Sequence, residues 1–447
     1  MSFSRRDLLL GTAALGTAAL AHKASAQHTH HHPAPTAPPQ PDPGAPLSTP
    51  LPTPPGWKDD GTVITPNGHR APWKLVDGTK IFHLVAEPVR HEICPGLVID
   101  AWGYNGSTPG PTIEVTEGDR CRFYVTNRLP EITSVHWHGV FVPNGMDGVA
   151  GLTQPPIAPG ETFVCDFTFG RAGTFMYHPH ADEMTQIALG MMGTIVVHPR
   201  GPRPRVRDYA MLLHEWSIAP GASRPDPLAM NSFNVLTINS RAFPGTAPVL
   251  AQRGDKVRLR LANMSPMDHH PIHIHGHAMT VVGTDGGPVP ASARVPETTV
   301  LVPVGSIRVV EFTADANGDW PLHCHMTHHI MNQMGHHLPP MIGADVRAAD
   351  RKLRKAIPGY MTMGHTGMAN MAEMGHTMPD NSIPMKGGPG PFGNIDMGGM
   401  FTLVKIRETL KGDTDPGPYE HPKGTLARVA DATELARDGI DVPGPAR

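Results

Sequence analysis

Residues Pro321 to Gly335 read Pro-Leu-His323-Cys324-His325-Met-Thr-His328-His329-Ile-Met-Asn-Gln-Met334-Gly. In an extended strand successive side chains leave opposite faces, so His323 and His325 point one way and Cys324 the other. One strand can thereby feed two different metal sites. Cys324, His329 and Met334 form a soft set of thiolate, imidazole and weak thioether. Such a set suits a copper ion that passes single electrons. The chain holds 28 His, so this stretch alone does not separate ligands from incidental histidines, and partners have to be sought elsewhere.

The partners stand in a repeat. Pro111 to Asn127, with Gly118-Asp119 inside it, corresponds to Pro248 to Asn263, with Gly254-Asp255 inside it. Each copy then carries a His-X-His-Gly, His136-Trp-His138-Gly139 in the first and His273-Ile-His275-Gly276 in the second. Further on, Pro159 to Phe167 leads to Tyr177-His178-Pro179-His180, while Pro303 to Phe312 leads to His323-Cys324-His325. Four His-X-His pairs in register, each placing two imidazoles on one strand face, are what a shared metal cluster requires.

The elements that must position these residues have period two. Val257, Leu259 and Leu261 alternate with Lys256, Arg258 and Arg260; Phe163, Cys165 and Phe167 alternate with Thr162, Val164 and Asp166. These patterns predict half-buried antiparallel strands. With 48 Gly and 50 Pro punctuating short strands and two copies of one plan, an all-β chain of two β-sandwich domains is expected. Cys121 and Cys165 align with Val257 and Val310, so both point into the first core, where either a bridge or two inert thiols fits.

Composition bounds the rest. A formal charge of −3 without a basic block excludes nucleic acid as a partner. Residues 1–26 combine Arg5-Arg6, an apolar run from Leu8 to Leu20 and Ala24-Ser25-Ala26, a twin-arginine signal peptide that leaves no membrane segment in the mature form. The chain is therefore expected in the periplasm or secreted. Residues 27–56, with His28, His30, His31 and His32 before a proline-rich run, read as a disordered leader. Domain 1 is expected over 57–200 and domain 2 over 206–410, joined by the Pro- and Arg-rich stretch 199–205. A short charged helix is expected over 343–357, a Met-rich insertion over about 361–396, a closing strand over 397–406, and a tail over 411–447 with a short helix over 425–437. Met361, Met363, Met368, Met371, Met374 and Met378 are soft thioethers and candidate ligands for further monovalent copper.

Together these motifs resemble those of the multicopper oxidases, the group that includes laccases and cuprous oxidases, over roughly residues 80–340. The resemblance implies two cupredoxin-like Greek-key β-sandwich domains and four copper ions per subunit. It assigns a type 1 copper to His270, Cys324, His329 and Met334, a type 2 copper to His136 and His273, and a type 3 pair to His138, His178, His180, His275, His323 and His325. It also implies that Asp147 supplies protons near the cluster. Only ninety residues separate His180 from His270, which leaves no room for a middle domain, and Pro179 stands where Cys324 stands in the second copy. The chain thus resembles two-domain laccases with type 1 copper in the second domain only, which implies a head-to-tail homotrimer with each trinuclear cluster between two subunits.

The expected function is an exported oxidase that takes electrons one at a time from cuprous ion, phenols or aromatic amines and reduces dioxygen to water, with a role in copper tolerance. A periplasmic copper-sequestering protein is the non-enzymatic alternative, suggested by the His leader and the Met loop. A two-domain copper nitrite reductase is the enzymatic alternative, disfavoured because it needs no type 3 pair.

Overall fold

The computed structural model describes residues 45–333, 351–352, 355–356, 379–385 and 387–442. Among the described residues the regular structure is almost all strand, with short helices at Glu183–Ala188 and Ala432–Arg437 and helical residues at 351–352 and 355–356. Among the described residues no helix is long and apolar enough to cross a membrane.

The strand alternation read from the sequence produces the layers. Along Arg120–Asn127 every second residue is buried, and Phe123 and Val125 lie opposite Cys165 and Phe163 of Thr162–Thr168. That pair continues into Thr79–Cys94, which runs parallel to Arg120–Asn127. A second sheet orders Ile113–Thr116, Gly193–His198 and Gly173–Tyr177. Between the sheets lie Phe82, Phe123, Trp137, Phe167 and Phe169. Aromatic residues dominate the energetics of such a core through the large apolar area they bury. Cys121 and Cys165 are both buried here as free thiols, which settles the alternatives for that pair.

The second half repeats the central pairings of the first and adds strands to both sheets. Arg207–Trp216 runs parallel to Lys256–Asn263, which pairs antiparallel with Ile307–Thr313. In the facing sheet Val249–Gln252 runs parallel to Phe401–Arg407, which pairs antiparallel with Gly318–Cys324. His270–Ile274 then lies between Gly318–Cys324 and Thr299–Val302. The closing strand expected over 397–406 is Phe401–Arg407.

The two sandwiches share a third apolar cluster, with Ile93, Ile99 and Met176 from the first half and Leu212, Trp216 and Val309 from the second. A buried ion pair, Arg260 to Asp208 at 2.7 Å, extends to Thr174 of the first half, also at 2.7 Å. Burial on this scale fixes the halves against each other.

Other elements differ from their sequence expectation. Part of the stretch read as leader is laid on the first sandwich, since Ser48 N–H donates to Arg90 O and Leu51 N–H to Asn105 O. Proline-rich chain needs no ladder of its own and can lie flat on a sheet that offers it free carbonyls. The helix expected over 425–437 is confined to Ala432–Arg437 and starts at a capping box of Asp431 and Glu434. Residues 1–44, most of 334–357, and Met334, Met361, Met363, Met368, Met371, Met374 and Met378 lie outside the described residues.

Candidate metal centres

Pairing of two strands sorts the histidines by face. His270, Ile272 and Ile274 alternate with Pro271 and His273, and Ile272 lies opposite Cys324 while His273 lies opposite His323. His270 and Cys324 therefore face the core, whereas His273, His275, His323 and His325 belong to the other face. The short 3-10 turn Thr327–Ile330 brings His329 back over the core side.

On that core side three ligand atoms form a nearly equilateral triangle. Cys324 Sγ lies 3.7 Å from His270 Nδ1 and 3.4 Å from His329 Nδ1, and the two nitrogens are 3.3 Å apart. The centre of such a triangle is about 2 Å from each corner, the length of a metal–imidazole bond. All three residues are buried. The outer ring nitrogens are held as well, with Ser265 Oγ 2.6 Å from His270 Nε2 and Asp268 Oδ2 3.3 Å from His329 Nε2. Burial pushes the His270 imidazole down to about 3 and the Cys324 thiol up to about 12. The imidazole is thus neutral and ready to ligate, and the thiol gives up its proton only to a metal.

The other histidines form two half-sets. In the first half His136 and His178 exchange backbone hydrogen bonds, so their side chains sit side by side. His136 Nδ1 donates to Asp147 O at 2.7 Å and His178 Nδ1 to Pro179 O at 2.9 Å, which leaves each Nε2 free. His138 turns its Nδ1 to within 3.3 Å of His178 Nε2, and the His180 ring lies 5.6 Å from that of His136. Burial pushes His178 down to about 3. Gly148, at φ 86°, makes the Asp147 contact geometrically accessible, because a Cβ there would collide with Val135 O.

In the second half His273 Nδ1 donates to Thr298 O at 2.8 Å and His323 Nδ1 to Cys324 O at 2.9 Å. His275 Nε2 is 3.3 Å from His323 Nε2, and the His325 ring is 5.3 Å from that of His273. Among the described residues no ring of one half-set touches a ring of the other. An open cavity of about 690 Å³ borders the second half-set, lined by His273, His275, His277, Thr298 and Asp315. His325 is exposed and His180 is 38 % exposed, so each half-set presents imidazoles outward.

Every described histidine singled out from spacing thus stands in one of three groups. Asp147 lies beside His136, yet its backbone oxygen is nearer than its carboxylate, at 2.7 Å against 3.5 Å. His269 accepts from Val304 N–H instead of joining a group. Sequence reasoning missed Ser265, Asp268, Glu215 and Glu183. Glu183 sits 3.6 Å from His178 Nδ1 and 3.5 Å from His180 Nε2. Buried Glu215 accepts hydrogen bonds from the N–H groups of Met267 and Asp268. Burial and the Asp268 charge push its carboxyl up to about 8, while the hydrogen bond with His329 holds Asp268 below the usual carboxylate range.

The chain is similar to known proteins in sequence and in shape. Two models described as multicopper oxidase match residues 90–202 and 220–341, together more than half of the chain. A probable nitrite reductase–hydroxylamine oxidoreductase fusion protein of Kuenenia stuttgartiensis is 31 % identical over 278 residues, covering 58 % of this chain and 31 % of its own. Copper resistance protein A of Escherichia coli is 32 % identical over 232 residues, covering 41 % and 38 %. The chain spans less than half the length of the curated relatives it matches. The crystal structure of blue copper oxidase from Nitrosomonas europaea superimposes with a TM-score of 0.55 at 27 % identity, over 73 % of this chain and 85 % of the other.

Proposed function

Because the chain belongs to the multicopper oxidase family, we propose that it couples one-electron oxidation of cuprous ion, phenols or aromatic amines to four-electron reduction of dioxygen to water. The observation that carries this reading is the strand Gly318–Cys324, which gives its thiol to the buried triangle and continues from His323 to His325 in the outward half-set. Copper, when bound, supplies one-electron redox chemistry at the soft set and dioxygen reduction at the histidine set. We assign four ions per subunit, with His270, Cys324, His329 and Met334 as the soft set and the eight remaining histidines as the ligands of the other three.

The residues prepare these places in the absence of metal. Cys324, His270 and His329 exclude water and converge on one point. The carbonyls of Asp147, Pro179, Thr298 and Cys324 each fix one imidazole in the tautomer that leaves its other nitrogen outward. Asp147 holds or releases a proton beside His136.

A head-to-tail trimer accounts for two half-sets that stay apart within one chain. Exposed apolar residues support it, since Phe141 and Leu152 flank the His138 and Asp147 region and Leu301 lies two residues beyond Thr299, the partner of His273. Co-expression of His178→Ala and His323→Ala subunits tests this assembly. Each variant alone is inactive; the mixture recovers oxygen uptake if the cluster lies between subunits and stays inactive if it lies within one chain.

Export by the twin-arginine route, a periplasmic or secreted location and a role in copper tolerance belong to the same proposal, the last supported by likeness to copper resistance protein A. Met361, Met363, Met368, Met371, Met374 and Met378 are proposed to bind monovalent copper; deletion of 361–385 then lowers Cu(I) turnover relative to phenol turnover. The nitrite reductase relative motivates a second reading. Nitrite consumption without oxygen uptake by the copper-loaded protein favours that reading; oxygen uptake unaffected by nitrite favours the oxidase.

A further inference from the structure

Glu215 has no place among the ligands, yet it is 1 % exposed on the strand Arg207–Trp216. Its Oε1 accepts from the backbone N–H of Met267 at 2.8 Å and of Asp268 at 3.0 Å, while Oε2 is buried with no hydrogen-bond partner. A carboxyl in so dry a place is costly, and alternatives that leave no unmet polar atom are cheaper. What its two hydrogen bonds secure is the loop that carries Asp268. The same strand end ties that loop twice more, through Met264 N–H to Leu213 O at 2.9 Å and His214 Nδ1 to Met264 O at 2.8 Å.

Asp268 reaches from this loop to His329, with Oδ2 3.3 Å from Nε2. The opposite nitrogen of that ring lies 3.4 Å from Cys324 Sγ. A carboxylate on the outer nitrogen of a ligating imidazole fixes its rotation and tautomer and raises its basicity. Asp268 is 36 % exposed, so an untethered loop leaves its carboxylate free to turn to water.

We propose that Glu215 is a positioning residue of the thiolate centre: by holding the Met267 and Asp268 N–H groups it keeps Asp268 on His329, and so keeps His329 Nδ1 on the point that Cys324 and His270 share. This rests on the copper reading of that centre. The whole chain thus uses one buried acid on the neighbouring sheet to set the geometry and electron affinity of a site it never touches.

The test compares Glu215→Gln, Glu215→Leu, Glu215→Asp and Asp268→Ala in the copper-loaded protein. Readouts are the thiolate-to-copper charge-transfer band, the reduction potential of that centre, and copper retention against a chelator. Glu215→Gln keeps an acceptor oxygen in place and matches the wild type. Glu215→Leu, Glu215→Asp, whose oxygen is withdrawn by one methylene, and Asp268→Ala each shift band and potential and weaken copper retention roughly 10- to 100-fold. The double variant Glu215→Leu/Asp268→Ala is no worse than Asp268→Ala alone, because the effect passes through Asp268. A wild-type band, potential and retention in Glu215→Leu, or in Glu215→Asp should the leucine variant not fold, overturns the proposal. Absence of any such band in the copper-loaded wild type overturns the copper reading itself, a result distinct from the first.

Discussion

At the residue scale the division of labour follows from strand alternation. Cys324 and its neighbours His323 and His325 cannot serve one metal, because their side chains leave opposite faces. Cys324→Ser is therefore expected to bind one copper fewer per chain and to lose the charge-transfer absorption, while the eight histidines of the half-sets keep theirs. Metal analysis with visible spectroscopy checks this, and a retained band contradicts it. Burial holds the Cys324 thiol protonated far above neutrality, so copper uptake at this centre releases its proton and affinity rises with pH. Asp147→Asn keeps the backbone oxygen that orients His136 and removes the acid. It is expected to leave copper content unchanged and to lower turnover about 100-fold; equal turnover denies Asp147 a proton role. The eight histidines that gather in the half-sets were legible from their i, i+2 spacing, although the pairs run past strand ends, with His275 beyond His270–Ile274 and His325 beyond Gly318–Cys324. Glu215, Asp268 and Glu183 were not, because no spacing in sequence relates an acid on one strand or helix to an imidazole on another.

At the element scale the two copies show what the repeat conveys and what it omits. The central pairing of the second half could be written down from the first, since the paired registers of Arg120–Asn127 with Thr162–Thr168 recur in Lys256–Asn263 with Ile307–Thr313. Two things differ: Met279–Thr284 and Thr299–Val302 widen the sheets of the second half, and the connection before the closing strand changes. In the first half a short helical turn leads to Gly193–His198; in the second a long insertion precedes Phe401–Arg407. Phe401 shows why the closing strand matters to chemistry. Its ring packs 4.6 Å from Phe243 and 6.4 Å from His323, directly behind the half-set. Phe401→Ala should cost about 3–5 kcal/mol in denaturant unfolding and loosen His323, seen as weaker copper retention in the cluster with the thiolate band preserved. The packing of 45–56 was not legible, because a proline-rich run looks the same whether it is free or laid on a sheet.

At the scale of the whole molecule, burial of neutral imidazoles sets the pH limits of the metal-free protein. Burial pushes His91 and His214 down to about 4, whereas in the unfolded chain they titrate near 6.5. The unfolded state therefore takes up protons first, and stability falls as pH drops from about 6.5 towards 4, by up to roughly 3 kcal/mol for each group. A urea midpoint that does not decrease between pH 7.5 and 5 contradicts this. Two sandwiches were legible from the repeat, but the apolar cluster that joins them was not. Strand faces that point at a core and at a partner sandwich carry the same residues. The two half-sets likewise acquire meaning only in the folded chain, where, among the described residues, no ring of one touches a ring of the other.

The oxidase reading is tested most directly by the stoichiometry of oxygen uptake. Copper-loaded protein is given a known amount of a one-electron reductant, Cu(I) or a phenol, and consumption of dioxygen and formation of peroxide are followed together. One dioxygen consumed for every four electrons, with no peroxide, is the predicted result. Consumption of one dioxygen for every two electrons with peroxide released, or no uptake above that of free copper, contradicts it.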